Sequence, residues 1–270
     1  MIARLAFGAV TALLVWAAPL RAEPARLDDL ISALRLPEMV AIMRAEALAQ
    51  AEDLGADMLP TSGMAAWRGV ADRLYDVDPM LAAVRKDLGA GLDGVDLDPL
   101  LRFFTSDTGQ QVIGGELATR RAFLDPAVEA AARDSLPVPE DARSKAVEDF
   151  IAANDLIEMN VSGGLTASLR FYQGLAQGGQ LDMTEAEMLD DIWAREDETR
   201  TESAAWVRAL LTMAYRDVPV DGLRAYVDAS LTPEGQALNL ALFAGFDRMY
   251  GDLNHALGLA LASRMAGDDL

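Results

Sequence analysis

Histidine and cysteine are scarce in this chain, and carboxylates are abundant. His255 is the single histidine in 270 residues, and cysteine is absent. A Ser-His-Asp triad or a His-based zinc site would have to be built on His255, and neither a nucleophile elbow nor an HExxH pair accompanies it. Without cysteine there is no thiol nucleophile and no thiolate metal site. Acids are densest at Asp190-Asp191 and Glu196-Asp197-Glu198. A hard cation needs six or more converging oxygens, commonly from a loop. Acids adjacent on a helix fan out around its axis, so these clusters read as solvated faces. Ser162-Gly163-Gly164 and Gly178-Gly179 lack the lysine and the strand-before-helix setting of a phosphate loop. The expectation is no catalytic residue, no metal site and no cofactor. A carboxylate pair of the glycosidase kind shows itself only through geometry, so a carboxylate-dependent hydrolase stays as an alternative.

One constellation occurs twice. Ser106, Gly109 and Gln110 match Thr232, Gly235 and Gln236 at an offset of 126. Ser and Thr are strong N-cap residues. Asp107 and Pro233, which follow them, both suit a first helical turn, one through the helix dipole and one through its fixed φ. Each copy therefore predicts a helix start that follows a short helix. Glycine at the third helical position predicts close approach by the preceding helix, and the glutamines are placed to hydrogen-bond across that corner. An anion site at the helix start is the poorer reading, because Asp107 and Glu234 would repel an anion. Trp67 and Trp193 share the same offset. Core anchoring accounts for them, and a cleft between halves lined by both is the functional alternative.

The stretch Phe103–Gln110, FFTSDTGQ, has an aromatic pair, a serine, a spacer and then Gly-Gln. In an exported, cysteine-free helical chain it resembles the bacterial family catalogued as domain of unknown function 2059. Ala229–Gln236, ASLTPEGQ, keeps the Gly-Gln but lacks the aromatic pair. The resemblance implies a helical periplasmic domain and carries no catalytic residues.

Helices must position these residues. Ala, Leu, Glu, Arg and Met dominate the chain, and all are good helix formers. Pro37, Pro79, Pro99, Pro139, Pro219 and Pro233 sit where a first turn could begin. Thr184-Glu185-Ala186-Glu187 predicts a capping box. Glu116/Arg120, Glu129/Arg133 and Glu196/Arg200 have the spacing of i,i+4 pairs on exposed helix faces. From Leu238 to Leu261 apolar residues recur at three and four on most sides, predicting a central helix with partners all round it. Its counterpart starts at Asp107.

A longer echo sets the architecture. DDLISALRLPEM (28–39) returns as EDFIAANDLIEM (148–159) at an offset of 120. The fold class expected is all-α: two related helical repeats, a duplicated helical-bundle unit of about five or six helices each, after a cleavable signal peptide. The bounds are a signal peptide at 1–22, repeat 1 at 23–136, a linker at 137–141, repeat 2 at 142–266 and a frayed tail at 267–270. The six residues by which the offset grows are placed near the loop 177–180.

Arg4, an apolar run from Leu5 to Ala18 and a segment ending in Ala22 predict an export signal cleaved after Ala22. The run is short of the ~20 residues that span a bilayer as a helix. Hydrophobic residues make up 51% of the chain, enough for a sizeable core without disulfides. The net charge of −20 argues against nucleic acid and anionic membrane surfaces as partners. The function expected is therefore a periplasmic, non-catalytic binding or interaction protein whose partner is another exported protein. The alternative is a carrier of an apolar small molecule between the halves, with methionines as adaptable lining.

Overall fold

A computed structural model of the chain describes residues 24–136 and 141–267. The signal segment with its cleavage after Ala22, most of the linker and the end of the tail lie outside the described residues. Every regular element among the described residues is a helix. In chain order these are α1 (Pro24–Ala33), α2 (Leu36–Met58), a 3-10 turn at Thr61–Gly63, α3 (Met64–Leu74), α4 (Val77–Gly91), α5 (Asp98–Phe104), α6 (Asp107–Ala122) and α7 (Pro126–Asp134). The order continues with α8 (Ala142–Ala153), α9 (Leu156–Gln177), α10 (Glu185–Trp193), α11 (Glu196–Ala214), α12 (Val220–Ser230) and α13 (Pro233–Ala266).

Local chemistry starts and stops these helices. The Asp76, Asp125 and Asp141 side chains accept from the first-turn amides of α4, α7 and α8. Thr184 and Glu187 form the capping box at the start of α10. Arg35 and Asp155 turn the chain from α1 to α2 and from α8 to α9 with φ of 52° and 50°. Left-handed backbone costs a non-glycine residue about 1–2 kcal/mol. At the first of these turns, buried Leu34 and Leu36 grip the corner from both sides.

Packing runs across the middle of the sequence. α13 lies against α9, α4 and α3, while α11 lies against α9, α6 and α7. At the α9–α13 crossing, a Cβ at Gly174 would overlap the His255 carbonyl oxygen, and one at Gly258 would overlap that of Phe171. The backbones therefore touch there, an approach only glycine permits. Gly115 of α6 is pressed in the same way on the Ala214 carbonyl at the end of α11. One continuous core results, in which Leu30, Val40, Trp67 and Val112 join Phe150, Val207, Tyr215 and Leu261.

Three expectations need correction. The counterpart of the long last helix is broken in two, because Asp125 caps a new helix whose first residue is Pro126. The first half thus holds α1–α7, more helices than five or six. If the halves are aligned helix by helix as expected, the extra residues fall mainly in α11, with 19 residues against 15 in α4, and in α12, with 11 against 7 in α5, rather than near 177–180.

Candidate functional site

A cavity of about 800 Å³ lies between the two halves of the chain. Its walls come from α2, α5 and α6 on one side and α8, α9, α11, α12 and α13 on the other. Most of the lining is apolar: Met39, Met43, Ile113, Met159, Leu210, Leu242 and Phe246 are examples. A smaller cavity of about 390 Å³ shares Ala47, Gln50, Ala167, Tyr250 and Asn254 with it. Gln50 and Arg102 are exposed, so the space meets solvent at its rim.

Aromatic rings from both halves close one side. Tyr226 of α12 stacks on Phe103 of α5 with ring centres 5.3 Å apart, and packs on Phe150 of α8 at 4.3 Å. Phe104 meets the same tyrosine edge-on at 6.0 Å. Tyr215, which caps α11, meets Phe150 at 5.8 Å. Such pairs prefer stacked or edge-on contact and add about 0.5–1.5 kcal/mol each beyond burial.

Two polar arrangements interrupt this apolar wall. Arg120 of α6 donates through Nε and Nη2 to both oxygens of Glu46 on α2, each at 2.8 Å. Its guanidinium also stands over the Trp206 ring, 5.5 Å from the centre. Burial alone would lower the Arg120 pKa, but the hydrogen bonds it donates to Glu46 hold it above the ordinary arginine value. One turn earlier, Glu116 accepts from the Tyr215 hydroxyl at 2.5 Å. The Tyr226 hydroxyl also faces this carboxyl. Glu116 sits deep among protein atoms with its remaining surface turned to the cavity. Burial pushes its carboxyl up to about 7, against the opposing pull of the two tyrosine hydroxyls. Burial and the neighbouring Glu116 charge push both tyrosines well above their ordinary value. Asp247 of α13 also lines the cavity, and burial raises its pKa.

No protein-family model, curated protein or solved structure matches the chain.

The repeated Ser/Thr-Gly-Gln residues build two corners at the edge of this site. Ser106 Oγ accepts from Gly109 N at 3.1 Å, and Thr232 Oγ1 accepts from Gly235 N at 3.0 Å. Cβ atoms at Gly109 and Gly235 would overlap the carbonyl oxygens of Phe103 and Ala229. Gln110 Nε2 donates to Phe104 O at 2.6 Å and to Ala33 O, the end of α1, at 2.8 Å. Gln236 Nε2 donates to Ser230 O at 2.7 Å and to Ala153 O, the end of α8, at 2.9 Å. Each glutamine thus satisfies a terminal carbonyl that its helix leaves open. Thr232 and Gly235 line the cavity, while Ser106, Gly109, Gln110 and Gln236 do not.

The tryptophan pair does not line this cleft. Trp67 is 0% exposed and donates its indole N–H to Ala51 O at 2.6 Å, locking α3 onto α2. Trp193 is 59% exposed at the end of α10. The reason is register: Trp67 is the fourth residue of α3, and the fourth residue of α10 is buried Met188. Trp206 takes the cavity position instead. Glu129/Arg133 and Glu196/Arg200 make their i,i+4 pairs, but Glu116 and Arg120 do not pair with one another. Both turn inward to other helices. Their spacing shows why: Val112, Ile113, Glu116, Leu117 and Arg120 share the three-and-four rhythm of the α6 apolar stripe. An acid and a base placed on a buried stripe mark a site. His255 is partly buried in α13, and among the described residues no cluster of three or more His, Cys, Asp or Glu could hold a metal.

Proposed function

We propose that this protein is an exported carrier that holds an apolar small molecule in the cavity between its halves. The observation that carries this reading is the cavity itself, whose volume of about 800 Å³ falls in the 300–1,000 Å³ range of ligand sites. Its apolar walls with a few convergent polar groups match the anatomy of such sites. Methionines at 39, 43 and 159 supply adaptable lining. The ligand reading therefore stands ahead of a module that works only through a protein partner. Native mass spectrometry of the protein taken gently from its own periplasm tests it. A retained small molecule is expected, and Ala167→Phe, which adds bulk at a residue that lines both cavities, should lose it while staying folded. A chain that retains no molecule and fails to bind Nile red would overturn the reading.

The same proposal includes descent from a duplicated helical unit. What supports it is the like order of helices in each half, the left-handed residues Arg35 and Asp155, and the twin Gly-Gln corners. Export through the N-terminal segment and kinship with the domain of unknown function 2059 family rest on the residues at 1–22 and 103–110. Cell fractionation with an antibody to the mature chain tests the first of these. A carboxylate-dependent hydrolase is the second reading, favoured only by Glu116, whose pKa near 7 suits a general acid. Its would-be partner Glu46 is tied up by Arg120, which leaves that reading the poorer one.

A further inference from the structure

Charge inside the cavity is unbalanced. Three carboxylates line it, from Glu46, Glu116 and Asp247, with two guanidiniums, from Arg102 and Arg120. Arg120 is committed to Glu46 through two hydrogen bonds and an ion pair. Arg102 is exposed at the rim. The ion pairs among the described residues give neither Glu116 nor Asp247 a basic partner. Glu116 is bonded only by hydroxyls, which stabilise a carboxylate less than a cation does. The two tyrosines at this carboxyl belong to a ring cluster with Phe103 and Phe150, and Phe103, Phe150 and Tyr226 line the same cavity. Aromatic faces attract cations and reject anions. Removing a charge from water is costly unless a partner of opposite sign meets it. A ligand that carries a positive nitrogen would supply that partner to Glu116, and its apolar body would fill the rest of the space.

We infer that the cavity selects lipophilic amines: molecules with one cationic nitrogen, held at Glu116 beside the Tyr215–Tyr226 ring cluster, and an extended hydrocarbon body. This assignment rests on the carrier reading and names its ligand class. A fatty acid of the same length would bring a second negative charge next to Glu116 and Asp247, with only the rim arginine to offset it. A neutral alcohol would fill the same volume with neither gain nor penalty at the carboxylate.

The test is displacement of bound Nile red from the mature protein by dodecylamine, dodecanol and dodecanoate, each below its micellar concentration. Dodecylamine should compete at least about tenfold more tightly than dodecanol, the lower end expected of a charge-assisted hydrogen bond. Dodecanoate should be the weakest of the three. Glu116→Gln should remove most of the amine preference over dodecanol while its thermal melt stays cooperative, which separates lost charge from lost fold. Asp247→Asn should reduce the preference by a smaller factor. Equal binding of amine and alcohol, tighter binding of dodecanoate, or an amine preference that survives Glu116→Gln would overturn the ligand class while leaving a carrier in place. Failure of all three compounds and of Nile red would remove the carrier reading and this inference together.

Discussion

Glu116 is the residue on which stability and binding meet. Its carboxyl is raised from an ordinary 4.5 to about 7 by burial, so the folded chain keeps this proton over a range where the unfolded chain has released it. Folding therefore binds a proton between about pH 4.5 and pH 7, and stability falls as pH rises through that window. Above the window the carboxylate is ionised inside the fold, and the accumulated cost is roughly 3 kcal/mol at 1.36 kcal/mol per pKa unit. Water entering from the rim makes that an upper figure. Glutamine keeps the shape and the tyrosine contacts but never ionises. Glu116→Gln should therefore melt several degrees above the parent at pH 8 and within a degree or two of it at pH 4.5. The comparison subtracts the many surface acids, which titrate alike in both proteins. A difference in melting temperature that is the same at both pH values would show that Glu116 keeps an ordinary pKa. The proposed amine would ease the same burden: at pH 8 it should raise the parent's melting temperature by more than that of Glu116→Gln, which keeps the apolar cavity but not the charge.

At the scale of helices, the two Gly-Gln corners set the angle between a short helix and the long one that follows. In α6, Gly109 faces the backbone of Phe103 and Phe104 with no room for a methyl group. Gly114, one turn further on, has only the tip of the Arg35 side chain nearby, at 3.7 Å. Gly109→Ala should cost about 1–3 kcal/mol or more, since the α5 backbone must move. Gly114→Ala should be neutral or stabilising by up to about 1 kcal/mol, because alanine is the better helix former. Thermal melts of the two variants decide this, and similar effects at both positions would mean that the corner is loose. These corners were legible in the sequence because helix-start chemistry is local: Ser106 or Thr232, then glycine, then glutamine, all within five residues. The all-helical class and the long last helix were legible for the same reason, through propensity and apolar spacing. The cavity was not. Glu116 and Arg120 have the spacing of a surface pair, and only the packing of α11 and α12 on α6 turns Glu116 toward Tyr215 and Tyr226. Trp67 and Trp193 misled because equal offset is not equal register: α10 begins at Glu185, before the point the offset would give it, so Trp193 falls at its end while Trp67 is the fourth residue of α3, and the two face different ways.

For the whole molecule, the decisive fact is where each half finds its missing surface. α13, from the end of the chain, lies along α4 and α3 near the beginning, and α11 lies along α6 and α7. Gly115 against Ala214 and Gly91 against Ala241 are backbone-level contacts between halves. The aromatic cluster draws Phe103 and Phe104 from one half and Phe150, Tyr215 and Tyr226 from the other. An unmatched half would expose the inner faces of α4 and α6, including Val84, Val112 and Leu117, each 0% or 1% exposed in the intact fold. Fully burying side chains of this kind is worth about 1.5–3 kcal/mol apiece. A domain's net stability is only about 5–15 kcal/mol, so the loss of a few such contacts exhausts it. Residues 24–136 and 141–267 should therefore fail to fold separately. Each fragment alone is expected to show reduced helicity, no sharp thermal transition and strong binding of a hydrophobic dye. Mixing the two at equal concentration should restore helicity, a cooperative melt and Nile red binding together, since the cavity exists only when both walls do. The intact chain should unfold in one transition by circular dichroism and by tryptophan fluorescence alike. A single fragment that melts cooperatively near the parent temperature would mean the halves are independent domains, and the cavity would then be a seam between them rather than part of a shared core.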